Sequence, residues 1–151
     1  MKKSLYLSLA LIAFPLFTSC NDDDDKGKDT QGPKITLYTP ADGQHMHKGD
    51  ELIVKFQLAD ESGIQSYKLD IHSAAGHTHE HDDHVHTRAE ELKNWSYQKV
   101  YTDMKGQKEA DVQLDLGKVP TDIKGGDYHL GVLATDSFGN ETQHFITIEV
   151  E

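Results

Sequence analysis

The feature that most constrains the fold is a period-two alternation of apolar and polar residues, repeated in short segments along most of the chain. Leu52, Val54, Phe56 and Leu58 alternate with polar neighbours, and so do Tyr67, Leu69 and Ile71. The same rhythm returns in Val112, Leu114 and Leu116, in Tyr128, Leu130, Val132 and Ala134, and in Ile146, Ile148 and Val150. Successive side chains of a strand point to opposite faces, so each segment predicts a strand with one face towards a core. With turn-forming residues between them, the pattern predicts about seven strands. They run near Lys34 to Thr39, Glu51 to Ala59, Ile64 to His72, Trp95 to Thr102, Ala110 to Leu116, Asp127 to Thr135 and Gln143 to Val150. The one expected helical stretch is a turn or two near Arg88 to Lys93. The expected fold class is all-β: an antiparallel β-sandwich over residues 33–151, with a long loop at 73–94.

Ahead of this domain the chain has a different character. Lys2 and Lys3 precede an apolar run from Leu5 to Phe17, the length and layout of a signal peptide rather than of a membrane-spanning helix. The run ends in Leu16-Phe17-Thr18-Ser19-Cys20, which resembles the lipobox of bacterial lipoproteins. That resemblance implies removal of residues 1–19 and lipidation of Cys20, with the lipid bilayer as a partner. The alternative is ordinary secretory cleavage that discards Cys20. Because Cys20 is the only cysteine, a disulfide framework, a cysteine nucleophile and a cysteine-based zinc finger are all excluded from the domain. Residues 20–32 are polar and acidic, with nothing to bury, and read as a flexible tether. Asp22 to Asp25 either space the domain from the membrane or act as a signal. Acidic residues directly after such a cysteine resemble the surface-export signal of Bacteroidota lipoproteins, which implies an outer-membrane, surface-exposed location.

Within the domain, Tyr128 to Asn140 resembles the F strand and F–G turn of bacterial immunoglobulin-like domains. Leu58 to Ile64 is similar to their B–C turn. The chain as a whole resembles uncharacterised Bacteroidota surface lipoproteins with such a domain and a histidine-rich insertion. The implied architecture is an immunoglobulin-like sandwich, and no enzymatic activity is implied.

Ten histidines is a high count for this length. His77, His79, His81, His84 and His86 crowd one stretch, interleaved with Glu80, Asp82 and Asp83. Neutral imidazole is the commonest ligand for zinc and also suits copper and nickel, and carboxylates can complete the shell. The competing reading is a solvated loop that takes up metal only as a purification tag does. Topology bears on the choice. Loops of an antiparallel sandwich alternate between two poles. His45 and His47, in the expected A–B loop, share a pole with the 73–94 loop, with His72 at the end of one strand and with His129 at the start of another. Inward-facing Ile71 and Tyr128 leave His72 and His129 facing out, as cross-strand neighbours. Only His144 lies towards the other pole. The expected metal ligands are His72, His129, His77, His79, His81, His84 and His86, with His45 and His47 as a second site and zinc as the favoured ion.

Net charge of −11 argues against nucleic acid as a partner. The function expected is binding without catalysis: metal capture, buffering or delivery to an outer-membrane transporter. The alternative is an adhesion or accessory module that binds a glycan or protein, for which Trp95, Tyr97 and Tyr101 offer a stacking platform. A metallohydrolase would need an open zinc position beside a base such as Glu80. Asp60 to Gly63 and Asp136 to Asn140 read as turn chemistry, with calcium binding as the sharper alternative.

Overall fold

The computed structural model describes residues 29–77 and 92–151. Cys20, the signal peptide, most of the tether, and His79, His81, His84 and His86 lie outside the described residues, as does most of the helical turn expected near Arg88 to Lys93. The described strands are β1 (Lys34–Thr39), β2 (Gln44–Met46), β3 (Glu51–Ala59), β4 (Ile64–Ser73), β5 (Tyr97–Tyr101), β6 (Glu109–Lys118), β7 (Gly126–Asp136) and β8 (Glu141–Val150). A 3-10 turn, Ala74–His77, follows β4.

The strands form two sheets, β1-β3-β6 and β2-β8-β7-β4-β5. Every pairing between these strands is antiparallel except β2 with β8. The alternation read from the sequence determines what each strand buries. Leu52, Val54, Phe56 and Leu58 of β3 face Tyr67, Leu69 and Ile71 of β4 and Leu130, Val132 and Ile148 of the same second sheet across one core. Phe56 meets Tyr67 edge to face at 5.4 Å. Full burial of a side chain of this size stabilises the fold by about 1.5–3 kcal/mol each, so the paired faces dominate the energetics.

Tyr128 supplies a second signature of the immunoglobulin-like sandwich. It enters the core near the start of β7, and its hydroxyl donates to the carbonyl of Lys124 at 2.8 Å. This is the tyrosine corner of such folds. Trp95 packs against the same ring at 5.9 Å. The pattern had placed Trp95 in a strand. Instead it precedes β5 and is buried, because the indole fills the end of the core rather than a position on the sheet edge.

The segment expected as the A–B loop also differs, since Gln44–Met46 is a strand. Its backbone runs parallel to the end of β8, and the Glu151 amide donates to the Met46 carbonyl at 2.9 Å. The ends of the sandwich follow from register. Lys34 pairs with Ala59, beside the β3–β4 turn, whereas Ser73 pairs with Tyr128 at the other end. At about 3.3 Å per residue, the strands separate these ends by roughly 30 Å. The chain therefore enters the domain at the end opposite His77. Asn140 Nδ2 fixes that entry by donating to the Asp29 carbonyl at 2.9 Å.

Candidate metal centre

The outer face of the five-stranded sheet is where the histidines of the rigid framework gather. His72 on β4 and His129 on β7 are register partners. Their rings meet nearly at right angles, 86°, with centroids 5.3 Å apart. Each is held by an inward neighbour: Ile71 and Tyr128 are buried, so the alternating backbone turns the next side chain out to solvent.

Asp70 stands two residues before His72 on the same face. Its Oδ1 is 2.8 Å from His72 Nδ1. An ionised carboxylate only accepts, so this contact puts the imidazole proton on Nδ1 and leaves the Nε2 lone pair free. The other oxygen, Oδ2, accepts from Gln98 Nε2 at 2.8 Å and lies 3.7 Å from Lys68 Nζ. These three partners satisfy a carboxylate that is only 6% exposed. A buried carboxylate orienting a half-exposed imidazole is the arrangement that supports metal-ligating histidines. Asp70 escaped the sequence reading, although Asp-x-His on a single strand puts both groups on one face.

Phe145 of β8 lies over Gly131 of β7. A Cβ at residue 131 would fall 2.1 Å from the Phe145 ring, so the ring can lie flat there only because the residue is glycine. The same ring reaches His72, with centroids 5.9 Å apart. The phenyl ring thus lies edge to face against one side of the imidazole.

The remaining sequence-predicted ligands divide. His77 closes the 3-10 turn that leaves β4, at the same end as His72. His45 and His47 also lie at this end, but on the sheet's far edge, with β8 and β7 between β2 and β4. The structure thus brings His45 to Glu149 and Glu151 and not to His72. His144 is exposed on β8 and pairs with Val132, away from the pole.

Asp60 and Asp136 serve the turns at the opposite end. Asp60 Oδ1 accepts from the Ser62 amide at 2.8 Å and from the Ser62 hydroxyl. Asp136 Oδ1 accepts from the Phe138 and Asn140 amides at 2.9 and 2.7 Å, and its Oδ2 accepts from Asn140 Nδ2 at 2.7 Å. Burial pushes the Asp136 carboxyl up, but the Asn140, Phe138 and Ser62 donors outweigh it and hold it below the usual carboxylate value. Gly63 and Gly139 take positive φ, 93° and 87°, in these two turns. Both motifs thus serve turn chemistry, and one ligand atom from each of Asp29, Asp60 and Asp136 also falls within 4.8 Å of the other two.

The aromatics near β5 pack on the core to different degrees. Trp95 is in the core, and Tyr101 stacks on Tyr67 at 4.8 Å with 9° between planes. Burial raises the Tyr67 hydroxyl to about 12, with Asp103 adding to the shift. The Tyr97 and Tyr101 hydroxyls bond to each other at 3.1 Å. Among these three aromatics, Trp95 is closed to a ligand, whereas Tyr97 and Tyr101 are partly buried.

The sheets β1-β3-β6 and β2-β8-β7-β4-β5, a tyrosine corner and an outward histidine pair define an immunoglobulin-like β-sandwich with a polar, imidazole-bearing sheet face. The chain belongs to the family described as Domain of unknown function (DUF4625), whose pattern matches residues 18–151. No curated protein matches it significantly. Among solved structures it is similar to CopC from Methylosinus trichosporium OB3b, at 14% identity and a TM-score of 0.43, over 78% of this chain and 94% of that one. Similar too are the fibronectin(III)-like modules of CbhA from Clostridium thermocellum, at 14% identity and 0.41, over 78% and 94% of the two chains. Wild-type OgpA from Akkermansia muciniphila shares 11% identity at 0.39, over 77% of this chain and 28% of that one.

Proposed function

We propose that this protein is a transition-metal-binding module, with zinc as its ion, and that it binds without catalysing a reaction. The observation that carries this reading is the Asp70–His72 contact, 2.8 Å, beside the outward His129. It supports the reading because such a contact favours the Nδ1–H tautomer and orients the ring, as carboxylate partners of metal-ligating histidines do. Two imidazoles from adjacent rigid strands supply half of a tetrahedral shell, and neighbouring carboxylates or further imidazoles complete it. The sequence from His77 to His86 departs from this end of β4 and is rich in such groups. Copper and nickel suit the same donors, and zinc is favoured because nothing in the donor set calls for redox chemistry.

The N-terminal sequence supports a physiological setting for this reading. A lipidated Cys20 would anchor the chain to the outer membrane, and the tether would enter the sandwich at the end away from His72. The metal face then points outward, towards the medium or towards a transporter that receives the ion. No described helix is long and apolar enough to cross a membrane.

Elemental analysis of protein purified without affinity resins or added metal tests the proposal. We expect zinc at one equivalent or more per chain. Protein that carries no transition metal, and acquires none from a metal-buffered solution, would overturn it.

A further inference from the structure

We infer that His45, Glu149 and Glu151 form a second transition-metal site, separate from the one at His72. The inference does not depend on the His72 site. β2 is the reason these residues meet. Its parallel pairing sets His45 opposite Glu149, both outside the core because Met46 and Val150 are the buried neighbours. Glu151 continues the β8 line, and its backbone is tied to β2 through the Met46 carbonyl.

The geometry favours an ion over an ordinary ion pair. His45 Nδ1 lies 3.3 Å from Glu149 Oε2 and 3.4 Å from Glu151 Oε1. One ligand atom from each of the three residues falls within 4.8 Å of the other two. Charge-assisted N–H···O bonds close to about 2.7–2.9 Å, so neither contact is a good one. Bonds of about 2.0–2.1 Å around a tetrahedral zinc, in contrast, set neighbouring ligands roughly 3.3 Å apart. One nitrogen therefore stands at that spacing from two carboxylate oxygens. His47 Nδ1, 3.7 Å from Glu151 Oε2, is a further donor within reach.

The chemistry selects the ion. With imidazole neutral, two carboxylates and one or two nitrogens balance a dication. Nitrogen donors suit zinc, nickel or copper and not calcium, which takes oxygen. The site also stands apart from the first: the strand order puts β2 roughly 14 Å from β4 at about 4.8 Å per strand.

Nitrogen NMR of the histidine rings during zinc titration of the full-length chain tests the inference. We expect His45 Nδ1 to shift with zinc, both in the native chain and in the His72→Ala, His129→Ala variant. In a Glu149→Gln, Glu151→Gln variant that shift should vanish while the His72 resonance still responds. Calcium should leave His45 unmoved. The inference is overturned if His45 ignores zinc, if it responds equally without the two carboxylates, or if calcium has the same effect. A His45 response beside a silent His72 would remove the first site and leave this one standing.

Discussion

His72 Nδ1 lies 2.8 Å from Asp70 Oδ1, and this contact decides which face of the imidazole is available. The carboxylate accepts a hydrogen bond from Nδ1–H, so Nε2 is the nitrogen left with a lone pair for a ligand. Gln98 and Lys68 hold the carboxylate in turn, so the imidazole is oriented by a network that spans β4 and β5.

Replacing Asp70 separates orientation from ligation. Asp70→Asn keeps the shape and an oxygen for His72, but it removes the charge that favours one tautomer. We expect zinc affinity to fall about 10- to 100-fold, as for other partners that orient a ligand, with the fold retained. Calorimetry beside far-ultraviolet circular dichroism checks it. Unchanged affinity in a folded variant would mean that His72 does not ligate through Nε2.

Tyr128→Phe tests the corner that fixes β7 and so places His129. The ring volume is conserved, but the Lys124 carbonyl loses its donor and the Trp95 amide loses an acceptor at 3.4 Å. We expect a loss of about 1–3 kcal/mol in urea unfolding, the cost of leaving such groups unpaired. A change within about 0.5 kcal/mol would show that the corner is ornamental here.

Acid unfolding reports on the opposite end. The folded Asp136 carboxyl titrates below its ordinary value of 3.8. Its contribution to stability is therefore complete above that value, and it is lost as pH falls through the lower, folded value. Asp136→Asn should be less stable than the native chain at neutral pH, and the gap should close below about pH 3.8. A gap that stays constant on acidification would contradict this assignment.

The strands were legible where each inward position is apolar, as with Phe56, Leu69, Leu130 and Ile148. β2 was not, because three residues are too few to show a period and its pairing with β8 is made by backbone groups. The outward placement of His72 and His129 followed from alternation alone. Asp70 shares that face by the same alternation, but the bond that Gln98 donates to it comes from a later strand and is a tertiary event. Glu149 and Glu151 were equally silent, because their meeting with His45 is a tertiary event. The histidines expected at one pole do lie at one end where they are described, yet His45 and His72 belong to separate groups.

The most direct measurement is a calorimetric zinc titration of the full-length chain at about pH 7.5 and about pH 5.5, repeated with His72→Ala plus His129→Ala. We expect binding tighter than about 1 µM at the higher pH. Binding should weaken at the lower pH, because protons compete for ligand imidazoles. The double variant should lose this tight phase. Binding at about 1 µM or weaker that the double variant leaves unchanged would contradict it.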